Sequence, residues 1–264
     1  MEKVKAKKQF GQNFLKDTTV LDKIIQSMPN NSNYVVEIGP GLGDLTKNIV
    51  KYKEMTAYEV DTDLIGILES KFAIEIESKK LKLIHTDVLE AWDRQKSLHD
   101  GKYDLIANLP YYIATNIILR AFEDDNCENI IVMVQKEVAL KFTAKVKDKE
   151  FSSLGIISEL ISLESRILFD VPPESFDPAP KVMSSILYIR KDMNKSIDKD
   201  FNKFLKACFV QPRKKLSKNL SSILSKEFIS SLYQELEISD NIRPHEVSSS
   251  LYSQMYTKVR DGRN

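Results

Sequence analysis

The chain predicts an α/β fold with a mostly parallel, Rossmann-like sheet, followed by a small all-helical C-terminal domain, and three observations predict it. Apolar runs near 34–38, 55–60, 81–85, 103–107 and 129–135 alternate with helical segments, the pattern of βαβ units with helices on both faces of a sheet. The first run feeds a glycine-rich turn, Gly39-Pro40-Gly41-Leu42-Gly43, that leads into a helix. After a charged stretch at 191–199 the apolar period becomes helical, with Phe201, Phe204, Leu205, Cys208 and Phe209 on one face.

In chain order, residues 1–16 form an arm without sustained period. A helix from about Asp17 to Met28 follows, with Asp17 as its N-cap. The five apolar strands and their helices continue to Gln135. Helices are expected near 136–146 and 153–161, then strands at 166–171 and 182–190. The domain organisation expected is an arm at 1–16, a sheet domain at 17–190, a linker at 191–199 and a helical domain at 200–264. Within the last, Gln211 to Leu220 reads as one amphipathic helix with Pro212 in its first turn, and further helices lie near 227–236 and from Pro244.

Ligands of open α/β sheets bind at the carboxyl ends of the strands, so the residues there carry the chemistry. The turn after the first strand lets backbone approach a ligand closely through Gly39 and Gly41. Glu59 ends the second strand at the separation of about 20 residues that suits a ribose-binding carboxylate. Asp87, after the third strand and just before Val88, can accept a bond from a nucleoside's amine. The turn spacing G-x-G-x-G, in place of G-x-G-x-x-G, favours S-adenosylmethionine over a dinucleotide. The fourth strand ends in Asn108-Leu109-Pro110-Tyr111. Two acceptors, the Asn108 side chain and the Leu109 carbonyl, with Pro110 imposing extended geometry and Tyr111 offering a ring face, suit a planar base bearing an exocyclic amine.

The net charge of +1 divides unevenly. Residues 1–180 hold 23 Lys/Arg against 29 Asp/Glu, net −6, and residues 181–264 hold 16 against 9, net +7. Such asymmetry steers a polyanion onto particular faces. Arg213, Lys214, Lys215 and Lys218 concentrate the positive charge and are the candidate RNA contacts. Cys127 and Cys208, with His85, His99 and His245, are scattered, so no metal site is expected. No signal-like segment precedes Phe10 and no apolar run approaches the length of a membrane span, so a cytoplasmic protein is expected.

Seven segments occur in a fixed order: FGQNFL (10–15), EIGPGLGDLT (37–46), EVD (59–61), NLPYYIAT (108–115), QKEVALKF (135–142), VPPESFDPAPKVMSS (171–185) and FVQPRKKLSKNL (209–220). In these the chain resembles the ribosomal RNA adenine dimethyltransferases, of the small-subunit, KsgA-type branch. The resemblance implies a class I methyltransferase fold, S-adenosylmethionine as donor, and dimethylation of two adjacent adenosines in the 3′-terminal hairpin of small-subunit rRNA within a pre-30S particle. A monomer is expected, with no membrane partner and no metal. The resemblance also implies that Asn13 and Leu15 touch the donor, that Gln12 helps close the arm over it, and that Phe176 stacks on the target base opposite Tyr111. Other readings are a 23S rRNA dimethyltransferase of the macrolide-resistance type, a non-catalytic ribosome-assembly factor, and a dinucleotide-dependent dehydrogenase. The last lacks a hydride-relay histidine after the Asn108 strand.

Overall fold

A computed structural model describes residues 6–7, 10–196 and 198–262. Two compact units emerge, Met1–Ala139 with Glu164–Met193, and Leu140–Leu163 with Asn194–Asn264. The elements, in order, are β1 (Phe14–Leu15), α1 (Thr18–Gln26), β2 (Tyr34–Ile38), α2 (Thr46–Ile49), β3 (Met55–Glu59), α3 (Thr62–Lys71), α4 (Ala73–Glu77), β4 (Leu81–His85), α5 (Val88–Arg94), β5 (Tyr103–Asn108), α6 (Ala114–Glu123) and β6 (Cys127–Gln135). Then come α7 (Lys136–Thr143), α8 (Ser153–Ile161), β7 (Ser162–Val171), β8 (Phe176–Asp177), β9 (Ser184–Lys191), α9 (Lys199–Cys208), α10 (Leu216–Leu220), α11 (Lys226–Glu235) and α12 (Ser249–Asp261).

A seven-stranded sheet runs in the order β4-β3-β2-β5-β6-β9-β7. The first five strands are parallel to their neighbours, and β9 joins β6 antiparallel with Gln135 opposite Ser184. Val35, Val36, Leu105, Ile106, Ile130 and Val132 are fully buried, which is why these strands read as continuous apolar runs and not as alternation. The order reverses between β2 and β5, and that switch point opens a crevice at the carboxyl ends of both strands. Asp17 caps α1 by accepting from the N–H groups of Thr19 and Val20.

Three expectations need correction. Lys191 is no linker residue: β9 runs through it, and its buried ammonium donates to the carbonyls of Ala121 at 2.9 Å and Asp124 at 2.5 Å. Residues 140–163, expected with the sheet, group with the C-terminal helices. The Ser249 hydroxyl donates to Glu159 at 2.7 Å and the Lys147 N–H to the His245 carbonyl at 2.9 Å. The helix expected at 211–220 begins only at Leu216, because Lys215 is extended at φ −56°, ψ 146°. The buried Asn219 side chain holds the preceding turn instead, accepting from Gln211 N and donating to the carbonyls of Gln211 and Lys215. In this second unit Phe201, Phe204 and Tyr256 pack ring against ring, and Phe209 tilts onto Tyr252.

Candidate active site

The crevice at the switch point is an open cleft whose empty space, bulk solvent at its mouth included, is about 970 Å³. Its walls come from the arm, the glycine turn, the ends of β3 and β5, and the start of α5. Gln12, Asn13, Leu15, Gly39, Gly41, Glu59, Asp87, Val88, Asn108, Leu109, Pro110 and Tyr111 all line it.

Gly41 turns with φ +61°, and a Cβ there would stand 3.1 Å from the Phe14 ring, so only glycine fits both the backbone and the arm above it. Glu59 is buried and oriented by backbone. Its Oε1 accepts from the N–H groups of Val60 and Asp61, each at 2.9 Å, and its Oε2 from Gly41 N at 3.2 Å. Burial pushes its carboxyl above the ordinary range, against those three bonds, which favour the charged form. Asp87 caps α5 through Oδ1, which accepts from Leu89 N at 2.8 Å. Among the described residues its Oδ2 has no hydrogen-bond partner.

At the end of β5, Asn108 Nδ2 donates to the carbonyl of Asn13 at 3.0 Å. That bond orients the amide and leaves Oδ1 without a partner among the described residues. Leu109 is buried, its N–H bonded to the Met133 carbonyl at 3.1 Å. The Tyr111 hydroxyl shares a 2.6 Å hydrogen bond with the Ser184 hydroxyl, which fixes its ring at the cleft wall.

The described part of the arm is fastened at several points. Phe14 and Leu15 pair antiparallel with Asp177 and Phe176, and the Ser175 carbonyl accepts from the N–H groups of Lys16 and Asp17. Phe176 is therefore 5% exposed, packed in the core, and not part of the cleft wall.

Two residues not singled out in the sequence also belong here. Glu37, on β2 and lining the cleft, is buried and accepts from the Thr46 hydroxyl at 2.6 Å; burial pushes its carboxyl up to about 8. Its signal was an acid inside an apolar strand directly before the glycine turn. Asp61 is the other, 2% exposed, accepting from Lys7 Nζ at 2.6 Å and Gln12 Nε2 at 2.8 Å. His85, by contrast, ends β4 outside the cleft wall, its Nε2 3.3 Å from both the Thr62 hydroxyl and the Val60 carbonyl.

Arg213, Lys214, Lys215 and Lys218 lie in the second unit and do not line the cleft. All four are exposed and make no ion pair among the described residues, with Lys215 as N-cap of α10 and only Lys218 within it. Leu216 N donates to the Ile242 carbonyl at 2.8 Å, which brings the exposed Arg243 beside this turn. Among the described residues no helix is long and apolar enough to cross a membrane.

The family described as ribosomal RNA adenine dimethylase matches residues 3–261. A ribosomal RNA small subunit methyltransferase A from Aliarcobacter butzleri is 81% identical over 264 residues, covering 100% of both chains. One of the same name from Sulfurimonas denitrificans is 53% identical, over 98% of this chain and 96% of that one. Two solved structures share the fold. A dimethyladenosine transferase from Plasmodium falciparum gives a TM-score of 0.79 at 21% identity, covering 94% of this chain and 97% of that one. The 23S rRNA methyltransferase ErmE gives 0.69 at 19% identity, covering 94% and 100%.

Proposed function

This chain belongs to the ribosomal RNA adenine dimethylase family, and from that premise we propose that it dimethylates the exocyclic amines of two adjacent adenosines in the 3′-terminal hairpin of small-subunit rRNA. The observation that carries the reading is Asn108. Its amide is held by Asn13, and its oxygen has no partner among the described residues at the end of β5, in the same cleft as Glu59 and Asp87.

The cleft fits S-adenosylmethionine by the chemistry of its donors. Glu59 offers acceptors for the ribose hydroxyls, Asp87 Oδ2 an acceptor for the adenine amine, and the glycine turn a close backbone approach. S-adenosylmethionine supplies an electrophilic methyl group there. Asn13 and Leu15, on the arm, cover the opposite side and exclude water, so the reacting groups are held in place before the chemical step.

The target adenine's amine is a weak nucleophile because its lone pair is delocalised into the ring. Asn108 Oδ1 and the Leu109 carbonyl accept bonds from the amine hydrogens and draw the nitrogen toward tetrahedral geometry, which frees that lone pair. Tyr111 stacks on the ring, and base–aromatic stacking of about 1–3 kcal/mol offsets part of the cost of extruding the base. After transfer the amine proton is strongly acidic and leaves to water, so no side-chain base is required. Catalysis is positional and electrostatic.

Arg213, Lys214, Lys215 and Lys218 neutralise rRNA phosphates and orient the particle without reading sequence. The protein acts as a cytoplasmic monomer, without metal, on a pre-30S particle. A 23S substrate is the second reading; the 81% and 53% identical relatives, both named for the small subunit, favour the first. Mass spectrometry of rRNA from cells lacking the gene tests the choice. Dimethyladenosine should vanish from the 3′ end of the small-subunit RNA while the modifications of 23S RNA stay unchanged; an intact small-subunit pattern with a modification lost from 23S RNA would reject the proposal.

A further inference from the structure

We infer that Asp61 and Lys7 are positioning residues for the methyl donor, forming a charged latch that holds the arm over the cleft and sets the Glu59 carboxylate. The inference rests on the reading of Glu59 as the ribose acceptor.

Asp61 is the point where arm and pocket meet. Its Oδ1 accepts from Lys7 Nζ at 2.6 Å and from Asp63 N at 3.1 Å, and its Oδ2 from Gln12 Nε2 at 2.8 Å. Lys7 N in turn donates to Gln12 Oε1 at 2.7 Å, so two arm residues close a ring on one buried carboxylate. On the pocket side, Asp61 N donates to Glu59 Oε1 at 2.9 Å. Movement of Asp61 therefore moves both the arm and an oxygen of the ribose acceptor.

Charge explains why a lysine is needed. Glu59, Asp61 and Asp63 place three carboxylates within five residues, and Asp61 raises the cost of ionising Glu59. Lys7 answers both aspartates, reaching Asp63 Oδ2 at 2.6 Å as well. Its bond, with that of Gln12, outweighs burial and holds the Asp61 carboxyl below the ordinary carboxylate range. Other fastenings of the arm include a neutral amide bond at Asn108, the two-residue pairing of Phe14 and Leu15, the Lys16 N–H bond to the Ser175 carbonyl, and the Lys16–Asp44 ion pair at 2.5 Å. Of these fastenings, the Asp61 latch alone bonds Glu59 directly.

The test uses full-length protein with Lys7→Met, Asp61→Asn and the double variant. Asparagine keeps an N-cap acceptor for α3, and Lys7 Nζ bonds the Asp61 and Asp63 carboxylates and not the N–H group that Asp61 caps, so neither change removes the cap. Donor affinity and dissociation rate are measured by calorimetry and stopped-flow with S-adenosylmethionine, and arm accessibility by the rate of chymotrypsin cleavage at Phe10 and Phe14. Lys7→Met should weaken donor binding about 3- to 10-fold and Asp61→Asn about 10-fold, mostly through faster dissociation. The double variant should resemble Asp61→Asn alone. Both single variants should raise the donor KM more than they lower kcat, and both should speed arm cleavage. Wild-type dissociation and cleavage rates in Lys7→Met, or additive effects in the double variant, would overturn the latch. Failure of the wild-type protein to bind the donor would instead reject the assigned cofactor, and the cleavage rates would still decide whether the latch holds the arm.

Discussion

The cleft at the strand ends and the basic turn before α10 hold their functional groups in opposite ways. In the cleft the acids are aimed by backbone: buried Glu59 accepts three N–H bonds, and Asp87 caps a helix. In the turn the cations are exposed and make no ion pair among the described residues, and only the backbone beneath them is fastened, by Asn219 and by the Leu216–Ile242 bond. The first arrangement fixes atoms to fractions of an ångström, as covalent chemistry demands. The second fixes only where charge sits, which suffices for phosphates. Changes in the cleft should therefore be specific to one step, and changes in the turn graded and salt-dependent.

Asn108→Ala should show the largest effect. Turnover is expected to fall on the order of 100–1,000-fold, the range for one preorganised polar group, while donor affinity changes far less. Calorimetry with the donor beside a single-turnover assay checks both halves, and near-normal turnover would remove the acceptor mechanism. Glu59→Ala should reverse the pattern, weakening donor binding by about 10- to 100-fold, the value of a charged hydrogen-bonded group. Unchanged affinity would remove Glu59 from the ribose.

Glu37 sharpens the comparison through pH. Burial holds its carboxyl at about 8 in the fold, against 4.5 ordinarily. Between those values the folded protein keeps a proton that the unfolded chain has lost, so this group makes stability fall as pH rises through that window. Glu37→Gln should remove about 2 kcal/mol of that decline between about pH 5 and 7, read from urea unfolding at each pH. A wild-type and a variant curve with the same pH slope would show that Glu37 is ionised in the fold.

Changing Arg213, Lys214, Lys215 and Lys218 together to Gln should weaken binding to small subunits about tenfold at low salt. The salt dependence should flatten as well, by a slope of about 0.7–0.9 for each phosphate no longer neutralised. Donor affinity should stay unchanged. Wild-type affinity and slope in this variant would make the turn an ordinary solvated surface.

What could be read from sequence follows from which interactions are local. The central strands announce themselves because a parallel strand buried on both faces is apolar throughout, as 103–107 very nearly is. The Asp17 cap is equally local, a side chain bonded to N–H groups two and three residues on. The placement of 140–163 could not be read, because an apolar helix such as α8 does not say which apolar neighbour it meets. The break at Lys215 was hidden for a similar reason, since it depends on Asn219 binding Gln211 from eight residues away. In the site, strand-end residues were legible from their position after apolar runs. The pairing of the arm with Phe176 was not: two-residue strands have no period, and the two segments lie more than 150 residues apart. Asp61 stands within the EVD segment, but its bonds to Lys7 and Gln12 span 54 and 49 residues and leave no pattern.

The most direct measurement is mass spectrometry of rRNA after purified small and large subunits from methylation-deficient cells are incubated with this protein and S-adenosylmethionine. The account predicts two neighbouring dimethyladenosines in the 3′-terminal hairpin of the small-subunit RNA and no change in 23S RNA. Methylation of 23S RNA, or of another atom than the adenine amine, would contradict it.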